Sequence, residues 1–180
     1  MDRAFTYNHA VLYITSADNK ARFALGELGA RNLVVFGVNP STATDQVFDQ
    51  TIRRIEGYSR AHGLEGWLML NLYPQRATDP KGLHPEIDLQ MHTENMAHIE
   101  QTLALAQDFT LCAAWGQIIR ERDYLVSCLE RISELLGEHT WHSIGALTKE
   151  GHPRHPLYAQ NKWPIQRFEM PSYLEGLNYR

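Results

Sequence analysis

The sequence predicts an α/β fold: a three-layer α/β/α domain built on a parallel four-stranded core sheet, with an added β-hairpin at its N-terminal edge. Three observations lead there. Four short runs are apolar almost throughout, as strands buried on both faces are. Between them lie segments whose apolar residues recur every three or four positions, the mark of helices with one buried face. Strands alternating with helices require crossover connections, and therefore parallel strands covered on both sides.

Taken in order, "HAVLYIT" and "KARFALGEL" flank the turn "SADN" and predict the edge hairpin over about residues 9–28. The first core strand is "LVVFGV" (33–38), followed by a helix in 51–62, where Ile52, Ile55 and Tyr58 recur. The second is "WLMLNL" (67–72), followed by a helix in 95–106 carrying Met96, Ile99, Leu103 and Ala106. The third is "FTLCAAW" (109–115), followed by a helix in 118–136 with Ile118, Leu125, Leu129, Ile132 and Leu136, stopped by Gly137. The fourth is "TWHSIGA" (140–146). The core therefore spans residues 33–160 of one domain covering 1–180.

Composition narrows the function. With 43% hydrophobic and 21% charged residues, the 180-residue chain can bury a substantial core. The longest apolar runs are too short to cross a bilayer, so no membrane partner is expected. The opening "MDRAFTYNHA" lacks the basic-then-apolar order of a signal peptide. Cys112 and Cys128 are too few for a disulfide framework, which fits a cytoplasmic protein with reduced thiols. A net charge of −4 argues against a broadly electropositive surface, so duplex binding should be weak. Any positive potential should gather around Arg76 and Arg154, with Lys81 and Lys149 near them. His92 and His98 in "HTENMAH" are six apart, not the three or four that put ligands on one helical face. No metal and no cofactor is expected. Phosphate-loop and G-x-S-x-G patterns are missing.

In a parallel sheet, ligands bind outside the carboxyl ends of the strands, so the loops after the four runs should converge there. "GVNPST" (37–42) follows the first: Gly37 lets backbone approach a ligand, Pro40 sets the turn, and Asn39 points its amide at the crevice. An Asn-Pro turn with Thr42 or Asp49 capping the next helix accounts for the same residues. Asn71 closes the second strand, where a buried amide needs a specific partner, and its donor and acceptor suit the edge of a nucleobase. Arg76 lies in the long loop that follows. After the fourth strand, "GHPRHP" (151–156) holds His152 and His155, each followed by a proline, where either can stabilise a negatively charged leaving group, with Arg154 placed to hold a phosphate.

"NPSTATDQVFDQTIRR", "NLYPQRATDPKGL", "AAWG" and "LTKEGHPRHPLY", in this order, resemble a bacterial family known as domain of unknown function 1643. More distantly, the order of motifs is similar to that of the uracil-DNA glycosylase superfamily. That resemblance implies a glycosylase-like fold and a division of labour. Asn39 in "GVNP" would position the water, Asn71 would read the base, and His155, or His152 in the other register, would stabilise the departing base. Tyr73 would stack on the base, and Arg76 and Arg154 would hold phosphate. The aspartate general base of the most active branch has no counterpart in 37–42. The expected activity is hydrolysis of an N-glycosidic bond, on a free nucleotide or on a base in nucleic acid. The expected partner is a nucleobase, a nucleotide or a short single strand. Non-catalytic binding of a nucleotide or modified base, and a different small-molecule hydrolase, are the alternatives.

Overall fold

The computed structural model, which describes residues 11–178, has seven strands in its sheet where four core strands and a hairpin were expected. β1 (Val11–Thr15) and β2 (Arg22–Glu27) form the antiparallel hairpin, with Val11 opposite Glu27. Its expected start at residues 9 and 10 lies outside the described residues. β3 (Asn32–Gly37), β4 (Gly66–Asn71), β5 (Phe109–Ala113) and β6 (Trp141–Ile144) are the four apolar runs. A further strand, β7 (Ile165–Phe168), pairs antiparallel with β6. The sheet order is β1-β2-β4-β3-β5-β6-β7, and the pairs β4–β3, β3–β5 and β5–β6 are parallel.

The helices divide between the two faces. α1 (Gln50–Ala61) packs Ile52, Ile55 and Tyr58 onto Leu33, Val35, Trp67 and Met69. α2 (Leu89–Ala106) and α3 (Tyr124–Leu136) cover the opposite face, where Ile99, Leu103, Leu125, Leu129 and Ile132 meet Val34, Phe36, Leu68 and Leu70. α4 (Met170–Asn178) joins this second layer through Met170 and Leu177. Successive residues of β3 and β4 thus enter two different cores, which is why neither strand alternates with polar residues.

Two helices start elsewhere than their apolar spacing suggests. α2 begins at Leu89, six residues early, because its N-cap Asp88 accepts from Met91 N–H and the residues its first turns bury, His92 and Asn95, are polar, while Leu89 is 60% exposed. α3 begins at Tyr124, and Ile118 and Ile119 belong instead to a 3₁₀ turn over Gly116–Arg120. β7 and α4 escaped the sequence reading. The strand is a four-residue edge with Gln166 and Arg167 exposed, and the helix carries Pro171 and Gly176, which weaken the helical signal. Among the described residues, no helix is long and apolar enough to cross a membrane.

Candidate functional site

β3 has β4 on one side and β5 on the other, so the chain reverses its direction of progress across the sheet between β3 and β5. A cleft of about 630 Å³ opens beside the carboxyl ends of these strands, on the α1 face. Loops after all four parallel strands contribute to it: Asn39 after β3, Thr78 after β4, Gln117 after β5 and His155 after β6. This is the topological switch point at which open α/β sheets bind ligands.

Gly37 ends β3 directly opposite Asn71 of β4. A Cβ at Gly37 would lie 2.6 Å from Met69 Cε and 3.2 Å from Asn71 Oδ1, so a larger residue would press on both side chains. Asn39 follows in the turn, half-buried, its Nδ2 donating to Ala77 O (2.8 Å) and Pro40 O (3.0 Å). Ala77 N–H also donates to Pro40 O (2.9 Å). These bonds stitch the first loop to the second and leave Asn39 Oδ1 as the acceptor. Pro40 is buried behind the wall that Asn39 lines. Asp49 caps α1 by accepting from Ile52 N–H (3.0 Å), and its carboxylate also borders the cleft.

The His-Pro loop is held from several directions. His152 N–H donates to Thr148 Oγ1, Thr148 N–H to His152 O, and Gly116 N–H to Pro153 O (2.9 Å). Gly116 adopts φ +60°, which favours glycine and brings the β5 loop against His155. His155 caps the 3₁₀ turn over Pro156–Tyr158, its Nδ1 accepting from Leu157 N–H (3.3 Å). Neutral His155 therefore carries its proton on Nε2. Burial holds its pKa below the usual 6.5, partly opposed by the Asp49 carboxylate. Arg154 braces the same loop through Nε to Ala146 O (2.8 Å) and lies 5.5 Å from the Trp163 ring centroid, while still lining the cleft.

Other expected residues are placed differently. His152 borders a second cleft of about 440 Å³ with Arg120 and Tyr173, so of the two histidines only His155 shares the larger cleft with Asn39. The His152 Nδ1 lies 2.8 Å from Tyr173 Oη, which also accepts from Trp115 Nε1 (2.9 Å). Tyr73 is fully buried, its hydroxyl 2.8 Å from His84 Nδ1 and accepting from Asp88 N–H, so it offers no face for stacking. The aromatic ring at the cleft mouth is Tyr158, 73% exposed. Arg76 donates to Ser41 O (2.6 Å), Ala43 O (3.2 Å), Tyr13 Oη (2.6 Å) and Asn19 Oδ1 (3.2 Å), clamping the first loop to the hairpin. Those bonds take up its guanidinium and leave it outside the cleft lining.

Asn71 lies at the expected edge but beneath the cleft floor. It is 0% exposed, neither amide atom has a hydrogen-bond partner, and by strand alternation it shares the α1 face with Met69. Sequence reasoning missed Arg22. At the start of β2 it is 2% exposed and lines the cleft, with one side-chain hydrogen bond, Nη1 to Ala43 O (3.2 Å), and its Nε unpartnered. The available signal was an arginine directly ahead of the apolar run "FALG" in the first hairpin. Asp49, expected only as a helix cap, also lines the cleft. Among the described residues, no three His, Cys, Asp or Glu side chains are grouped as metal ligands.

No curated protein and no solved structure matches the chain. A family model described as "Protein of unknown function (DUF1643)" matches residues 22–157, from the buried arginine of β2 to the turn after the His-Pro loop, and the chain belongs to that family.

Proposed function

We propose that this cleft binds a nucleobase-bearing ligand and hydrolyses its N-glycosidic bond. The observation that carries the reading is the meeting of Asn39 and His155 at the switch point, with opposite hydrogen-bonding roles. Asn39 has its Nδ2 committed to backbone, so its Oδ1 accepts. His155 has its Nδ1 committed to Leu157 N–H, so its Nε2–H donates.

Those roles match the charges that develop as the bond breaks. The C–N electron pair moves to the base, and Nε2–H of His155 donates to the base oxygen that becomes anionic. The sugar carbon turns cationic, and Asn39 Oδ1 orients a water toward it. Asp49, on the same cleft, supplies the negative charge that an oxocarbenium-like sugar requires and accepts the proton lost by the attacking water. The base leaves as an anion and is protonated by solvent. Asn71 reads the base edge once the flexible Met69 chain, which shares the space over Gly37, moves aside. The cost of leaving the Asn71 amide unpaired in the free protein makes a ligand partner for it favourable.

The test is a screen for released base by chromatography and mass spectrometry, using nucleosides, nucleotides and single-stranded DNA with common and modified bases. The expected result is release from at least one of them, lost in Asn39→Ala. No release from any member of the set, or release that Asn39→Ala leaves at the wild-type rate, rejects the hydrolytic reading.

A further inference from the structure

We propose that Arg22 is a phosphate anchor, so that the cleft accepts a nucleoside monophosphate as a free small molecule. The proposal rests on the nucleobase reading above and adds the charged part of the ligand. The Arg22 guanidinium offers five N–H donors and makes one side-chain hydrogen bond, and its buried Nε has no partner. No ion pair holds it among the described residues. Burial, and then the neighbouring cation Arg76, which donates to the same Ala43 carbonyl, lowers the tendency of Arg22 to hold its proton, and the Asp49 carboxylate opposes them only in part. A buried guanidinium this poorly compensated is costly unless an acceptor arrives from elsewhere.

The surroundings fit an oxyanion with several acceptor oxygens. α1 directs its N-terminus at the cleft. Asp49 takes the Ile52 N–H, while the first-turn N–H groups of Gln50 and Thr51, both lining residues, have no intrahelical acceptor by position. Ser41, Thr42 and Thr51 add hydroxyls. The cleft is lined by two guanidiniums, Arg22 and Arg154, against one carboxylate, Asp49, so a ligand bearing negative charge is favoured. Arg22 also lies too deep to meet a strand's internal phosphate. At 2% exposure it is reached by a terminal group, because a polynucleotide would have to enter and leave at the cleft floor.

Calorimetry with the common nucleosides, their 5′-monophosphates and inorganic phosphate, on wild type and Arg22→Met, tests this. At least one monophosphate should bind about 10- to 100-fold more tightly than its nucleoside, as charge-assisted hydrogen bonds predict. Arg22→Met should erase that difference, retain the nucleoside affinity, and melt no lower than wild type because it removes a buried unpaired charge. Arg22→Lys, which keeps the charge and loses the planar fork, should retain part of the preference and serves if the methionine variant does not fold. Equal affinity for nucleoside and monophosphate, or a phosphate preference that survives Arg22→Met, overturns the proposal and leaves the nucleobase reading standing. Arg22-dependent binding of inorganic phosphate, with no binding of any nucleoside or nucleotide, upholds the anchor and rejects the nucleobase reading. Failure of phosphate and every nucleotide to bind overturns the anchor.

Discussion

The proposed reaction gives His155 two jobs, one at each ring nitrogen, and a pair of substitutions separates them. Nδ1 accepts the Leu157 N–H at 3.3 Å and caps the turn over Pro156–Tyr158, while Nε2–H is the donor that the proposed reaction uses. His155→Ala removes both. Loss of a preorganised donor to a developing anion costs about 2.7–4 kcal/mol of barrier, or roughly 100- to 1,000-fold in turnover. Loss of a long, partly exposed cap costs about 0.5–1 kcal/mol of stability, which lowers the melting temperature by about 1–4 °C in a chain of this size. His155→Asn supplies a side-chain oxygen for the cap but no donor where Nε2–H stood. It should melt within about 1 °C of wild type and still lose the same roughly 100- to 1,000-fold. The assay is kcat for base release on the best substrate of the screen, beside thermal denaturation of the three proteins. The loss should fall on kcat, with KM nearly unchanged, because the donor acts on charge absent from the ground state. If His155→Asn retains wild-type turnover per folded molecule, the histidine is a cap and the catalytic assignment is wrong.

Asn71→Val replaces two buried, unpartnered amide atoms with apolar ones. It should leave the protein as stable as wild type or more stable by up to about 1–2 kcal/mol in denaturant titration, while abolishing discrimination among bases in calorimetry. Arg76→Met should do the opposite. It strips donors from the Ser41 and Ala43 carbonyls and from Tyr13, costing about 2–3 kcal/mol in the same titration, and it should speed proteolysis of the 41–49 loop. His92 is buried with neither ring nitrogen partnered, and burial, then the charge of Arg131, holds its pKa below 6.5. The unfolded chain therefore binds the proton first, so the stability due to neutral His92 is present above pH 6.5 and is lost as pH falls below it. His155, depressed in the same direction, adds to this. His92→Leu should flatten the decline in melting temperature between about pH 6.5 and 5, and an unchanged slope would rule His92 out as a source.

Elements whose burial is continuous, and the loops that leave them, are legible from the order of residues. "LVVFGV" and "WLMLNL" enter two cores at once, so their apolar runs announce buried parallel strands without any knowledge of neighbours. Parallel strands place their following loops at one edge, which is why Asn39 and one of His152 or His155 are expected at a single cleft, and Asn39 and His155, 116 residues apart in the chain, line it. Composition also distinguished "GHPRHP" as a rigid polar loop.

Tertiary structure alone decided which polar groups are left over for a ligand, because that depends on partners distant in sequence. Neither the loop that holds Arg76 nor the strand that holds Arg22 says how many acceptors each guanidinium finds. Arg76 finds carbonyls and a hydroxyl from two other segments, whereas Arg22, pinned in a strand by its neighbours' burial, finds one. His152 and His155 read alike in the chain. The Tyr173 hydroxyl that faces His152 comes from α4, a helix whose proline and glycine hid it from the apolar pattern. Tyr73 faces the second core because Leu72 and Tyr73 leave the strand beyond Asn71, where alternation no longer dictates direction. Hydrophobic periodicity reports which residues are buried, but the satisfaction of a buried polar group is a pairwise property, and the pairs form only when the chain has folded.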